Sequence, residues 1–564
     1  MRYRYIIIYV FTALLLIAAL FCGTLEGAWD GSVTLSAQVD SREEITCWQK
    51  QGNEYVLFLP GYAELSQVRF FTNTDAAVYL NGKQVADGEP FETLQLNTPY
   101  PLTYENRGKL HEFTLTILQS DHLPAMYIDV VSESMAYIHG SRDHQEPGTI
   151  RTYSPEGVLD YEGNMEALKG RGSSTWNWAK KPYNLTLSQS GDLLGMGEAQ
   201  RWILLANAMD DSNLRNKLIY DLAKKAGLEY SPDCQWVDLY LNGEYAGVYL
   251  LTERNEVHPQ RVALEEEGSF LVSKEAEWRM DAKGQSYVMT DSSAALRIHY
   301  ADLSADELLA LWQSAENAIL AEDGVDPVTG KHWTELIDLD SWARKFLIEE
   351  VFGNCDGGTL SQYFYRQGTG KICAGPVWDY DLALANRIAQ PEPVPNSFFS
   401  IRDQLYGSKW FYALYQKEEF FTYAVSLYQT EVRPLAQALL GSEISTCAQT
   451  IRAASNMNAV RWNMADPQAE IDHICSYLTE RLAFLDRIWL EGEDYLEAYV
   501  WGKDSSLNLY LLQPGDTVPG LSRYESDETT TYFGWFHKAT DQPFDPATQV
   551  WENVEVYLKY ETKQ

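Results

Sequence analysis

Apolar and polar residues alternate in short runs over the first part of the chain, a period that predicts β-strands. Residues 56–60 form a short apolar run, and residues 113–118 alternate as a strand does. Between them, two strand halves flank Asn81-Gly82, a pair typical of a β-hairpin turn. Strands at this spacing predict a β-sandwich-like domain over residues 29–122.

From residue 123 to residue 494 the pattern mixes the strand period with the helix period, which predicts an α+β domain. Alternating segments on either side of Asn242-Gly243 predict a second hairpin. Polar capping residues mark the expected helix starts, and glycine marks several of the ends. The expected helices run from Asp211-Ser212-Asn213 to Ala226, over residues 308–320 after a capping box at 304–307, over residues 340–352 ahead of Gly353, and from Asp466-Pro467 to near Gly492.

Short aromatic-rich segments beyond residue 495 predict a small C-terminal β module over residues 495–564. The 564 residues exceed what one ordinary hydrophobic core accommodates, which favours several domains. The sequence contains no internal repeat.

The first 28 residues read as a targeting segment rather than as part of the fold. Arg2 and Arg4 precede an apolar run over residues 6–21, and Glu26 and Asp30 follow it. Positive charge before the run and negative charge after it predict that the N-terminus lies inside and the remainder outside. The run gives about 24 Å of helix against roughly 30 Å of hydrocarbon, so a signal peptide and a short anchor both stay open. Without a clear cleavage site, an uncleaved anchor is slightly favoured, and the body is expected to be extracytoplasmic, membrane-anchored or secreted.

The charge balance argues against a nucleic-acid partner. The chain has 44 basic and 80 acidic side chains, a formal net charge of −36, which would repel a polyanion. Basic residues nevertheless cluster at Lys169, Arg171, Lys180 and Lys181. A local positive patch on so acidic a chain favours an anion pocket, with a solvated charged face as the alternative.

Several enzyme classes have no support in the sequence. The seven cysteines include no Cys-x-x-Cys pair, so zinc and redox motifs are unsupported. There is no His-Glu-x-x-His, no Gly-x-Ser-x-Gly and no Gly-x-Gly-x-x-Gly. Metalloprotease, serine hydrolase and dinucleotide-binding sites therefore lack their local signatures.

Asp379 and Asp381 are the first candidates for chemistry. On a strand, residues two apart share one face, so the two carboxylates would lie side by side while Trp378 and Tyr380 pack into apolar surroundings. Paired carboxylates repel by about 4 kcal/mol at an effective dielectric of 20, and a divalent cation relieves that repulsion. We therefore expect a metal site here, with two solvated turn carboxylates as the alternative.

Asp356 and a glycine-rich loop are the next candidates. Asp356 follows the helix that ends at Gly353, where a flexible loop can aim a carboxylate at a substrate hydroxyl; an ordinary Asp-Gly turn is the alternative. Residues 170–175, which include Arg171 and Ser173, allow the backbone to approach a phosphate closely and provide several hydrogen-bond donors. A flexible basic loop followed by separated carboxylates is what phosphoryl transfer requires.

Four further residues could contribute to phosphate or nucleotide binding. Lys180 and Lys181 stand at the start of a strand, where one ammonium could reach phosphate oxygens. Arg215 lies on a predicted helix and could contact phosphate or brace a carboxylate. Glu253 ends a strand where a hinge could present backbone to an adenine. An exposed surface position is the alternative for each.

Six motifs in a fixed order resemble the CotH family, the spore-coat-type atypical protein kinases. The resemblance spans about residues 123–417. Its motifs are Lys169-Gly170-Arg171-Gly172-Ser173-Ser174-Thr175-Trp176, Lys180-Lys181-Pro182-Tyr183, Trp202-Ile203-Leu204-Leu205-Ala206-Asn207, Leu214-Arg215-Asn216-Lys217, the hairpin from Leu239 to Glu253, and Gly375-Pro376-Val377-Trp378-Asp379-Tyr380-Asp381.

The resemblance implies a divergent kinase-like fold over residues 123–494 that binds ATP with Mg²⁺ and phosphorylates serine on secreted, cell-surface or spore-coat proteins. By position, Asp356 resembles the catalytic-loop aspartate, and Asp379 the metal-binding aspartate with Asp381 as its helper. Lys181 resembles the phosphate-contacting lysine, and Arg171 belongs to the phosphate loop. The family loop usually has asparagine where this chain has Ser173, a mild departure.

Two other functions stay open at this stage. An extracytoplasmic body meets little ATP, and some proteins that resemble this family act as surface ligands, so a non-catalytic, adhesin-like protein on a kinase-like scaffold is the main alternative. A polysaccharide-binding surface protein is the third interpretation, suggested by the many aromatic residues. Retention of Asp356, Asp379 and Lys181 favours the enzyme, because a ligand does not need three costly charges in one pocket.

Overall fold

The computed structural model describes residues 34–563 apart from 40–42, 51, 75, 92, 107–108, 278–279, 281–283, 390–393, 401–408, 504–506 and 528. The expected signal or anchor segment, residues 1–28, lies outside the described residues. Among the helices that are described, none has both the length and the apolar character needed to cross a bilayer. The described chain forms two compact units, residues 34–57 with 64–117 and residues 58–63 with 118–563.

The first unit is built from β-strands, as the alternating pattern predicted. Phe113, Leu115 and Ile117 alternate into its core along one long strand. The predicted hairpin is confirmed, with Asn81 and Gly82 at φ 47° and 76°. Its strands form a three-stranded sheet in the order Glu44–Thr46, Leu35–Gln38, Arg69–Thr72, and a six-stranded sheet in the order Trp48–Lys50, Glu54–Leu59, Lys109–Gln119, Pro99–Asn106, Val78–Leu80, Lys83–Gln84.

The second unit begins with a closed seven-stranded barrel, which the sequence did not predict. The hairpin at Asn242-Gly243 is confirmed and supplies two of its strands. Closure comes from parallel pairing between residues 125–128 and 238–241. The strands, in order around the barrel, are Ala125–Val130, Gln145–Tyr153, Leu159–Gly170, Tyr183–Asp192, Glu198–Leu205, Glu244–Glu253 and Cys234–Leu241.

The side chains of the barrel divide between two cores. Leu185 and Leu204 belong to the apolar cluster that fills the barrel, together with Trp202. Ile203 instead belongs to the large core of the remaining α+β region. Successive side chains of a strand point to opposite faces. Residues such as Ile203 therefore face away from the barrel interior.

A buried carboxylate, Asp238, lies on the outer face of the barrel, because its neighbours Val237 and Leu239 belong to the cluster that fills the interior. Its Oδ1 accepts a hydrogen bond from the Tyr245 hydroxyl at 3.0 Å. Burial raises the pKa of Asp238 from 3.8 to about 7, against the opposing effect of its hydrogen bonds. The folded protein therefore holds this proton more tightly than the unfolded chain, and the carboxylate costs stability as pH rises through this window.

We expect Asp238→Asn to stabilise the protein relative to the wild type as pH rises. The asparagine keeps an acceptor for Tyr245 but has no charge to bury. Between pH 5 and pH 8 the difference in unfolding free energy should grow by about 3 kcal/mol, at about 1.4 kcal/mol for each pH unit below the folded pKa. Urea unfolding at the two pH values measures it. A difference that does not change with pH would contradict the assignment.

Beyond the barrel, a five-stranded sheet and a set of helices complete the α+β region. The sheet runs in the order Tyr287–Met289, Ala295–Ala301, Phe270–Glu275, Gln362–Arg366, Cys373–Ala374. The α-helices are Ala136–Gly140, Arg215–Lys225, Ala305–Leu320, Trp333–Leu336, Leu339–Phe352, Trp410–Tyr415, Glu418–Leu427, Arg433–Ala438, Ile444–Trp462 and Pro467–Leu485, with π-helical turns at Tyr428–Val432, Leu439–Glu443 and Asp486–Leu490.

The predicted helices are confirmed with small shifts of their boundaries. The capping box at Ser304 and Glu307 is present, and Gly353 ends the helix Leu339–Phe352 in a left-handed conformation. The helix expected after Asn213 begins at Arg215. The C-terminal strands form a four-stranded sheet in the order Leu507–Leu512, Leu496–Trp501, Val554–Thr562, Thr530–His537.

Candidate functional site

A cleft of about 570 Å³ is lined by the outer face of the barrel and by the five-stranded sheet. Asn184 and Ile203 contribute from the barrel. Glu275, Arg297 and His299 contribute from the sheet. Its volume is in the range of sites that hold a nucleotide-sized ligand.

A smaller cavity of about 110 Å³ adjoins the cleft and holds the acidic residues. The two cavities share Arg171, Ser173 and Asp379 in their linings. Asp356 and Asp381 line the smaller one. The structure thus brings together the three carboxylates that the sequence placed in two separate motifs.

Asp356 is positioned by the end of a helix, as predicted. The helix Leu339–Phe352 stops at Gly353, whose left-handed conformation turns the chain into the loop. The Asp356 amide donates to Asn354 Oδ1 at 3.2 Å, and Thr359 Oγ1 donates to the Asp356 carbonyl at 2.8 Å. These local bonds fix the backbone of Asp356 while its side chain lines the cavity.

The predicted strand through Asp379 and Asp381 is wrong. Residues 375–380 form no strand, and Asp379 has φ 69°, a left-handed conformation that breaks the two-residue period. Trp378 and Tyr380 are buried, as expected. The two carboxylates therefore share a cavity because the chain turns there, and not because they share a strand face.

The helix Arg215–Lys225 holds this turn in place. The Asp379 amide donates to the Tyr220 hydroxyl at 3.3 Å, and the Tyr380 amide donates to Asn216 Oδ1 at 2.8 Å. Ser361 Oγ donates to Asp379 Oδ2 at 3.0 Å. Both the backbone and the carboxylate of Asp379 are thus oriented by neighbouring elements.

The surroundings of Asp381 disfavour its charged form. Burial, and then the negative charges of Asp379, Asp356 and Asp210, raise the pKa of Asp381 well above its usual range. Such a group either keeps a proton or gains a cation. The site is therefore suited to a positively charged ligand.

The donor set fits a divalent cation of the Mg²⁺ type. Within the described part of the chain, no three His, Cys, Asp or Glu side chains lie close enough to form a metal site by themselves. Mg²⁺ usually binds one or two carboxylates and completes its shell with water and substrate phosphates. Asp379 and Asp381 would be the protein ligands, and phosphate oxygens the remainder.

Arg171 supplies positive charge next to these carboxylates. Its guanidinium lies over the Trp378 ring at 5.3 Å from the ring centroid, and Asp379 is the carboxylate that attracts it most. Burial lowers the pKa of Arg171, yet an arginine keeps its charge at neutral pH. Among the ion pairs of the described residues, none involves Arg171. This cation is therefore available to a bound anion.

The two lysines, which precede the strand Tyr183–Asp192, lie outside both cavities. The Lys180 ammonium is buried, donates to the Val248 carbonyl and lies 4.7 Å from the Tyr249 ring centroid. The Lys181 ammonium donates to the carbonyls of Trp176 at 2.8 Å and Trp178 at 3.1 Å. Lys181 thus braces the base of the glycine-rich loop, whereas the Lys180 ammonium is held by the barrel strand Glu244–Glu253.

Arg215 braces the acidic turn and makes no contact with the cavities. It is fully buried and pairs with Asp210 and Glu470, each at 2.5 Å. Its guanidinium also donates to the carbonyls of Ala383 at 2.7 Å and Leu384 at 3.1 Å. The bracing role, one of the two considered from the sequence, is the one that these contacts support.

Glu253 lies next to the cleft without lining it. Its carboxylate accepts a hydrogen bond from the Asp233 amide at 2.7 Å and lies 3.8 Å from the Arg261 guanidinium. The two residues that follow, Arg254 and Asn255, do line the cleft. The chain segment after this strand thus reaches the site through Arg254 and Asn255.

Sequence reasoning missed the polar face of the five-stranded sheet. Arg297 and His299 lie two apart on the strand Ala295–Ala301, so that both face the cleft with Arg254. Burial, and then the charges of Arg297 and Arg254, lower the pKa of His299 to about 3, which keeps its ring neutral. The two-residue spacing of Arg297 and His299 could have indicated that they share a strand face. No neighbouring residue in the sequence indicated that this strand packs near the acidic motifs.

Comparison with known proteins agrees with the resemblance found in the sequence. The family described as CotH kinase protein matches residues 168–485, which is more than half of the chain. The matched region contains Arg171, Asp356, Asp379 and Asp381. No curated protein matches the chain. On the strength of the family match, this chain belongs to the CotH kinase protein family.

Proposed function

We propose that this chain is an atypical protein serine kinase that transfers the γ-phosphate of ATP, with Mg²⁺, to secreted, cell-surface or spore-coat proteins. The observation that carries the proposal is the meeting of three carboxylates with the cation of Arg171 in adjoining cavities. Phosphoryl transfer needs this combination of a metal-binding carboxylate, a base and a phosphate-binding cation. The barrel would form one lobe of a kinase-like arrangement and the α+β region the other.

Each residue has a role that follows from its surroundings. Asp356 accepts the proton of the attacking serine hydroxyl, since its loop is fixed while its side chain faces the cavity. The serine oxygen forms a bond to the γ-phosphorus, and the bond from that phosphorus to the β–γ bridging oxygen breaks to release ADP. Arg171 stabilises the negative charge on the transferring group. When bound, Mg²⁺ neutralises phosphate charge and relieves the repulsion between Asp379 and Asp381.

The glycine-rich loop depends on a glycine at position 172 for its tight turn. Gly172 has φ 87°, and a Cβ atom there would lie 2.1 Å from Thr175 Oγ1. Arg142 Nη1 donates to the Gly172 carbonyl at 2.6 Å, which holds the loop against the cleft. Lys181 at the base of the loop adds rigidity, which reduces the ordering that a bound phosphate must induce.

Incubation of the purified protein with labelled ATP and Mg²⁺ tests the proposal. Label should appear on serine of the protein itself or of an added serine-rich or acidic protein, and chelation of the metal should abolish it. In parallel, Mg²⁺-ATP should raise the unfolding temperature, because a ligand that binds only the folded state stabilises it. No labelling together with no thermal shift would favour the alternative, an adhesin-like surface protein that has kept the scaffold.

A further inference from the structure

Lys345, Glu349 and Tyr380 form a buried cluster next to the segment that carries Asp379 and Asp381. Lys345 and Glu349 are one turn apart on the helix Leu339–Phe352, and both are fully buried. The Lys345 ammonium pairs with Glu349 Oε1 and donates to the Tyr380 hydroxyl at 2.9 Å. The Tyr380 hydroxyl donates to the same Glu349 oxygen at 2.7 Å. Three polar groups thus form a closed triangle inside an apolar core.

The cluster anchors the segment that carries Asp379 and Asp381. Tyr380 is the residue between them, and its hydroxyl belongs to the triangle. Its amide is held on the other side by Asn216 at 2.8 Å. The segment is therefore fixed both through the Tyr380 side chain and through its backbone. A shift of Tyr380 would move both carboxylates together.

The same cluster contacts the loop that carries Asp356. The Glu349 carbonyl accepts from the Asn354 amide at 3.1 Å. A Cβ atom at Gly357 would lie 3.1 Å from Glu349 Oε2 and 2.8 Å from the Asn354 carbonyl oxygen, so the loop packs closely on this carboxylate. Glu349 Oε2 itself has no hydrogen-bond partner among the described residues. One glutamate thus contacts both acidic segments.

Stability alone is a weak reason for such a cluster. A buried ion pair is often no more stabilising than apolar residues of the same volume, because desolvation offsets the attraction. What a closed triangle of short polar contacts provides is one fixed geometry. The elements fixed here are the two that the proposed reaction must keep at a constant separation.

Resting on the proposed function, we infer that Lys345, Glu349 and Tyr380 are positioning residues that set the separation of Asp356 from Asp379 and Asp381. They touch neither cavity and act through the two segments. Loss of the triangle should therefore slow the transfer step more than it weakens nucleotide binding. It should also loosen both segments at once.

Tyr380→Phe and Glu349→Gln test this inference, with Tyr428→Phe as the matched control. Tyr428 is also a buried tyrosine, and its hydroxyl donates to the Asp486 carboxylate at 2.8 Å, away from both segments. In full-length protein without nucleotide, both test variants should speed amide hydrogen exchange about tenfold in residues 353–360 and 377–384. The control should leave both segments unchanged. This readout stands even if the wild type transfers no phosphate.

Kinetics give the second readout. Each test variant should lower kcat about tenfold or more and change the KM for ATP less than twofold, while Tyr428→Phe keeps both. The double variant should be no slower than the slower single variant, because both remove the same triangle. Exchange that rises in only one segment, or that rises equally in the control, would overturn the inference. So would additive effects of the two substitutions on kcat.

Discussion

Replacing Asp379 by asparagine should lower the rate of phosphate transfer at least about 100-fold. A metal-binding carboxylate supplies several kcal/mol of charge stabilisation, and about 3 kcal/mol corresponds to that factor. Asparagine is the informative substitution, since it tolerates the left-handed φ of 69° and keeps an acceptor for Ser361. The fold should therefore survive while the charge is lost. Initial rates with labelled ATP across a range of Mg²⁺ concentrations measure the effect.

The control for this substitution is Asp494→Asn, which removes an exposed carboxylate outside both cavities. It should transfer phosphate at the wild-type rate. The Asp379 variant should also need a higher metal concentration for half-maximal rate, because it has lost a ligand. A rate within a factor of two of the wild type across the whole range of Mg²⁺ concentrations, with an unchanged half-maximal concentration, would remove Asp379 from the metal site.

Asp356→Asn should lower the transfer rate by about 10²–10⁴-fold, the range that a general base contributes. Unlike the Asp379 variant, it should still bind Mg²⁺-ATP, since Asp356 is assigned to the acceptor hydroxyl and not to the nucleotide. The stabilisation of the variant by Mg²⁺-ATP in a thermal unfolding assay should match that of the wild type. Single-turnover transfer to a serine-rich acceptor gives the rate.

The two aspartate variants therefore separate two roles. Loss of Mg²⁺-ATP binding in both would place Asp356 at the metal rather than at the acceptor. Full transfer by the Asp356 variant would show that another group takes the proton. The expected pattern is loss of transfer in both and loss of metal affinity in the Asp379 variant alone.

The features predicted correctly from the sequence depend on local signals. The hairpins at Asn81-Gly82 and Asn242-Gly243 are encoded by the turn residues themselves, which adopt positive φ. The helix end at Gly353 is encoded in the same way. Each of these predictions needs only a few adjacent residues, and no distant partner decides the outcome.

The features that the sequence could not predict depend on distant partners. Closure of the barrel requires parallel pairing of residues 125–128 with 238–241, more than a hundred residues apart. The charge of Lys180 and Lys181 was visible, but the direction of each side chain is set by the carbonyls that accept from it. The geometry around Asp379 likewise depends on bonds to Tyr220 and Ser361 from other elements.

The most direct test of the account is electron paramagnetic resonance of Mn²⁺ bound in place of Mg²⁺, with ATP present. We expect tightly bound Mn²⁺ with hyperfine coupling to phosphorus, because phosphate oxygens complete a shell that Asp379 and Asp381 begin. Replacing both aspartates by asparagine should abolish the bound signal, and Asp494→Asn should keep it. Mn²⁺ binding that persists without the two carboxylates, or that shows no phosphorus coupling, would contradict the account.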